Sequence, residues 1–146
     1  MQTLEPFLRK LVRRSQTRWW VGKRPNVREG QPAKVIAQQV GLPTSIDDPF
    51  AVGGMVALDK AGAAHVLGVA GTTSLAYGRP IPRAGIVRDA KAALAELAAD
   101  ATFLSNGYWL ESNAIAWQPL TSATFDCGVI GFDDENAFIF WVEEED

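Results

Sequence analysis

FDCGVIGF (residues 125–132), DDEN (133–136) and AFIFWV (137–142) follow one another without a break. Two apolar, β-prone runs joined by four polar turn-forming residues are the signature of a β-hairpin. The second run is apolar on both of its faces. Phe138, Phe140 and Val142 lie on one, and Ala137, Ile139 and Trp141 on the other. A strand with that pattern is covered on both sides, or on one side by an interface.

Working outward, residues 108–117 read as a further strand, with Tyr108, Leu110 and Trp117, after an Asn106-Gly107 turn. Residues 86–104 place Ile86, Ala90, Ala93, Leu94, Leu97, Ala101 and Leu104 on one helical face. The charges of that expected helix run against its dipole: Arg88 and Lys91 lie near its start, Glu96 and Asp100 near its end. Residues 52–58 and 63–69 read as two strands joined through Asp59–Gly62, and 70–85 as a long irregular segment rich in Gly and Pro. Residues 3–17 read as an amphipathic helix through Leu4, Phe7, Leu8, Leu11 and Val12, with Thr3 as cap and a Glu5–Arg9 pair. A short helix is expected over 32–40, ended by Gly41 and Pro43, and a loop over 43–49. The expected architecture is α+β: an antiparallel sheet of about five strands, with the long helix 86–104 on one face. The N-terminal helices would cover the other face or an edge.

The chain has 146 residues, 47% of them hydrophobic and 21% charged, which suits one domain, 1–146, with a sizeable core. This composition excludes a disordered, collagen-like or disulfide-stapled chain. A single cysteine, Cys127, allows no intrachain disulfide and fits a reducing compartment. Arg9, Lys10, Arg13 and Arg14 interrupt any signal-peptide core, and no apolar run is long enough to span a membrane. A cytoplasmic protein is expected.

The net charge of -3 conceals a gradient. Residues 1–34 hold nine Lys or Arg and two Glu, a net +7, whereas residues 92–146 hold eleven acids and no Lys or Arg. Either the two ends meet and neutralise each other, or one face is a binding surface. On the second reading, Asp133, Asp134 and Glu135, with Glu143, Glu144 and Glu145, would pair with cations of a basic partner. Trp141 and Phe132 beside them would supply apolar anchors. The opposite reading uses Arg9, Lys10, Arg13, Arg14, Arg18, Lys23, Arg24 and Arg28, with Trp19 and Trp20, to hold nucleic acid. The acidic remainder of the chain opposes it.

Catalytic signals are few. His65 is the only histidine, and pairing with Cys127 has no spacing signature. A small hydrolase or transferase using His65 beside the 70–85 segment is the enzymatic alternative. Gly71-Thr72-Thr73-Ser74 lacks the spacing of a phosphate-binding loop, and no metal or cofactor motif is present.

The ending IGFDDENAFIFWVEEED (130–146) and the α+β pattern before it, in a small acidic chain, resemble the immunity proteins of bacterial contact-dependent or secreted toxin systems. The resemblance implies a non-enzymatic cytoplasmic protein that binds one cognate toxin domain and blocks its active site or substrate groove.

Overall fold

A computed structural model describes residues 1–13, 16–27, 32–51, 53–110 and 118–145. The elements run α1 (Leu4–Leu11), β1 (Thr17–Lys23), α2 (Pro32–Gln38), β2 (Val56–Leu58), α3 (Lys60–Thr72), α4 (Ala84–Leu94), β3 (Thr102–Ser105), β4 (Phe125–Phe132) and β5 (Asn136–Glu144). The five strands form one antiparallel sheet in the order β1-β5-β4-β3-β2.

The β4–β5 hairpin lies in the middle of the sheet, and β5 is covered on both faces as its sequence pattern implies. Alternation along β5 sends Phe138, Phe140 and Val142 into a layer with α1, α3 and α4. It sends Ala137, Ile139 and Trp141 into a second layer with α2, Leu42 and Leu120. All six are fully buried. Two glycines allow the hairpin to pack this closely. A Cβ on Gly131 would run into the rings of Phe138 and Phe103, and one on Gly128 into the Phe140 carbonyl and the Trp141 ring.

The structure departs from the sequence expectations in four places. Residues 60–72 are a helix, not the second arm of a hairpin. Asp59 caps it, its Oδ1 accepting the Gly62 N–H at 2.7 Å. The helix is apolar nearly all round because it lies between the sheet and α4, so no amphipathic stripe marks it. The expected helix 86–104 is shorter: α4 ends at Leu94, and Thr102–Ser105 form β3. The first helix ends at Leu11, well short of residue 17. It also shares a face with α4, leaving α2 alone to cover the opposite face. Residues 108–110 carry no strand, and the rest of that expected strand lies outside the described residues.

The shorter α4 removes the paradox of the reversed charges. Lys91 now sits in the last turn, where a cation is favourable. Glu96 lies beyond the helix, and its carboxylate accepts the backbone N–H groups of Gln2, Thr3 and Leu4. It therefore caps α1, the role expected of Thr3, whose side chain makes no capping bond.

Candidate functional site

Antiparallel pairing of β1 with β5 brings the basic front of the chain against its acidic end. Arg18 Nε donates to Glu143 Oε1, and Arg18 Nη1 to the Val40 carbonyl at 2.8 Å. Arg24 lies 3.8 Å from the Asp134 carboxylate and stacks over the Phe132 ring at 5.2 Å. Arg13 donates to the carbonyls of Ala70 (3.2 Å) and Thr73 (2.7 Å), closing the C-terminal end of α3, with Glu144 at 4.0 Å. Much of the charge gradient is thus compensated inside the fold.

The acidic residues proposed as one docking face divide into two groups at opposite ends of β5, about 27 Å apart at ~3.4 Å per residue. At the C-terminal end, Glu144 is nearly buried. Its carboxylate accepts from Ser74 Oγ (2.7 Å), Leu75 N (3.0 Å) and Ala76 N (3.0 Å), holding the segment after α3 against the sheet. Burial acts to raise its pKa, but the Ser74 hydroxyl, the two N–H donors and Arg13 outweigh burial and hold it below the usual range. Glu143 is engaged by Arg18, and Glu145 accepts from the N–H and hydroxyl of Thr124.

At the other end, Asp133 clamps the β4–β5 turn. One carboxylate oxygen accepts the N–H of Glu135 (2.9 Å) and Asn136 (2.7 Å), and the other the N–H of Ala98 (2.9 Å). Partial burial works against ionisation, yet these donors prevail and keep its pKa below the ordinary value. Asp134 and Glu135 project from this clamped turn into solvent, the Asp134 side chain being 95% exposed.

Trp141 corrects the expectation of an apolar anchor. It is 0% exposed, and its indole Nε1 donates to Asp126 Oδ2 at 3.1 Å. The ring belongs to the core beneath α2 and offers no surface to a partner. Phe132 is half-buried beneath Arg24.

Asp126, which sequence reasoning passed over, organises a buried polar network. Its Oδ2 also accepts the N–H of Leu120 (2.7 Å) and Thr121 (2.8 Å), and its Oδ1 accepts from Asn106 Nδ2 at 3.1 Å. Asn106 Oδ1 in turn accepts from Trp109 Nε1 at 3.2 Å. Trp109 has φ +54°, in the left-handed region, and its carbonyl lies 2.7 Å from His65 Nε2. A lone acid inside FDCGVIGF was the available signal, since a buried carboxylate must collect donors.

The groups proposed for catalysis are engaged structurally. His65 lies on α3 and holds the Trp109 turn. Cys127 is fully buried, and burial, then the nearby Asp126 charge, pushes its thiol well above the usual range. Thr72 and Thr73 return their hydroxyls to Gly68 and Val69 carbonyls, so the Gly-Thr-Thr-Ser stretch closes a helix rather than opening one. Among the basic residues, Arg9 pairs with Glu5 (3.5 Å) and stacks over Trp19 (5.3 Å). Trp19 and Trp20 point to opposite faces of the sheet and form no joint stacking platform. Arg14 and Arg28 lie outside the described residues.

Among the described residues, no group of three or more His, Cys, Asp or Glu is placed to hold a metal ion. No helix among them is long and apolar enough to cross a membrane. Comparison with known proteins finds no matching family model, curated protein or solved structure.

Proposed function

We propose that this chain is a non-enzymatic binding protein of the immunity type, which docks on a cationic face of a cognate toxin domain and blocks its action. The observation that carries the reading is the hairpin tip. Asp133 fixes the turn through three backbone donors, so Asp134 and Glu135 are presented on a rigid support. Carboxylates held this way lose little freedom on pairing with Lys or Arg of a partner, and their field speeds encounter. Trp141 and Glu144 leave the proposed surface, since both are engaged internally. Phe132 joins it as a neighbour of the tip, and Arg24, 3.8 Å from Asp134, offsets part of the charge there, leaving Glu135 as the carboxylate without a cation among the described ion pairs.

The test is a titration against the protein encoded by the adjacent gene, with Asp134→Lys and Glu135→Lys combined. Asp133 is left intact, because its replacement would loosen the turn itself. A fall in association rate of about tenfold or more at low salt, shrinking at high salt, supports the reading. Binding unaffected by the double reversal removes the tip from the interface.

A further inference from the structure

α1, the end of α3 and one face of α4 meet without closing, and leave a cleft of about 520 Å³ between them. That volume lies within the ~300–1,000 Å³ usual for small-molecule sites. Phe7 and Leu11 of α1 and Ile86 and Ala92 of α4 supply its apolar walls. Two glycines of α3 set how closely the neighbouring segments pack. A Cβ on Gly71 would lie 2.8 Å from the Leu11 side chain, and one on Gly68 would lie 2.8 Å from Pro82 and 3.6 Å from Ile86. The walls are thus seated firmly on α3, yet Phe7 and Ile86 stay only partly buried.

The cations of the cleft are free and its acids are engaged. Lys10 and Arg83 line it, and both are exposed. Among the described residues, neither side chain makes an ion pair or a hydrogen bond. Asp89 is the one acid of the lining, and it lies 3.7 Å from Arg88. Glu96, bonded to the backbone of Gln2 and Thr3 at the margin, accepts three N–H groups and lies near the amino terminus. Glu5, the acid of α1, pairs with Arg9 at 3.5 Å. A cationic ligand would meet Lys10 and Arg83 without a free acid to hold it. A wholly polar anion would leave Phe7 and Ile86 uncovered.

We infer that this cleft binds a small amphiphilic anion, a carboxylate carried on an acyl or aryl body. The body lies against Phe7, Leu11 and Ile86, where it removes apolar surface from water. The head stays at the rim with Lys10 and Arg83, in charge-assisted contact. The occupant is a free molecule and not a lipid surface. Leu11 is buried and Phe7 and Ile86 partly so, so that a flat bilayer would reach the cations but not the walls.

Octanoate is the probe, added to the whole chain up to about 3 mM and followed by amide chemical shifts. It is expected to move the amides of Phe7, Leu11, Ile86 and Ala92 in a saturable way. Acetate, the head alone, should move none of them. Octan-1-ol, the body alone, should bind at least about fivefold more weakly. Lys10→Glu combined with Arg83→Glu should weaken octanoate by a similar factor and leave octan-1-ol unchanged. Ala92→Trp, at an exposed position of the wall, should fill the cleft and abolish binding of both. If either variant does not fold, the comparison of octanoate with octan-1-ol on the unaltered chain decides. The inference is overturned by the absence of a saturable shift, by shifts elsewhere on the molecule, by equal affinity for the acid and the alcohol, or by octanoate binding that survives the charge reversal. Co-sedimentation with phosphatidylglycerol vesicles without any response to octanoate also overturns it, and would assign the two cations to a membrane surface. The chain is measured alone, so failure here is distinct from failure of the toxin-binding reading.

Discussion

Trp141 Nε1 and Asp126 Oδ2 stand 3.1 Å apart inside the layer beneath α2, each answering the other's need for a hydrogen bond in a dry environment. A buried indole N–H needs an acceptor, and a buried carboxylate needs several donors. The pair joins the centre of β5 to the Leu120–Thr121 turn and, through Asn106, to the end of β3. This is why the C-terminal tryptophan is architectural.

Asp126→Asn is accordingly expected to destabilise the fold by about 2–4 kcal/mol, because an amide nitrogen would replace an acceptor facing these donors. Trp141→Phe removes a single donor and should cost less, about 1–2 kcal/mol. Urea unfolding measures both. A neutral Asp126→Asn would mean that the network contributes nothing. Burial raises the Asp126 pKa against the opposing bonds from Trp141, Leu120 and Thr121. The unfolded chain therefore releases this proton first. Its contribution to stability falls as pH rises from the unfolded value, near that of an ordinary aspartate, through the raised folded value, and is constant above it.

Glu144 gives the opposite dependence. Its folded pKa lies below that of an ordinary glutamate, so its stabilisation is complete above the unfolded pKa and lost as pH falls through the folded one. Glu144→Gln should flatten that acid limb and cost about 1.5–3 kcal/mol at neutral pH, the usual range for hydrogen bonds to a charged group. Exchange of the Leu75 and Ala76 amides, which bond to its carboxylate, should accelerate more than that of β4 or β5. Uniform acceleration across the sheet would show that Glu144 acts globally and not as a local clasp.

Cys127 should be inert in the folded protein. The thiolate is the reactive form, and burial together with the Asp126 charge disfavours it. Labelling with a disulfide reagent at about pH 8 should proceed only through unfolding, at a rate that rises steeply with denaturant. Rapid stoichiometric labelling under native conditions would contradict its placement among Val129, Phe138 and Phe140.

The parts of this fold that could be read from sequence are those with a strong one-dimensional pattern. The hairpin was legible because β5 is apolar on both faces and DDEN breaks the run. The α2 boundary was legible from Gly41 and Pro43. In α3, burial on several sides erased the periodicity that distinguishes a helix, and Val66, Leu67 and Val69 imitated a strand; Asp59 as a cap was the clue available. Leu97, Ala101 and Leu104 kept helical spacing past Leu94 although they belong to a turn and a strand. Whether acids near residue 140 form a face depended on strand pairing. Only the β1–β5 register reveals that Arg18 meets Glu143 while Glu135 stays free of a cation among the described ion pairs.

Glu96 offers a final check on how α1 is held. Three consecutive N–H groups of the helix start, those of Gln2, Thr3 and Leu4, converge on this one carboxylate. Partial burial works to raise its pKa, but the three donors and the amino terminus outweigh it and keep the group ionised below the usual range. Glu96→Ala should therefore resemble the loss of an N-cap, costing about 0.5–2 kcal/mol. The effect should concentrate in α1: the amides of Phe7 and Leu8 should exchange faster, with β4 and β5 little changed. Glu96→Gln keeps one acceptor and should restore roughly half of the loss. If alanine and glutamine are equally damaging, charge rather than hydrogen bonding holds the helix start. If neither has an effect, the packing of Leu4 and Leu8 against α4 suffices without the cap.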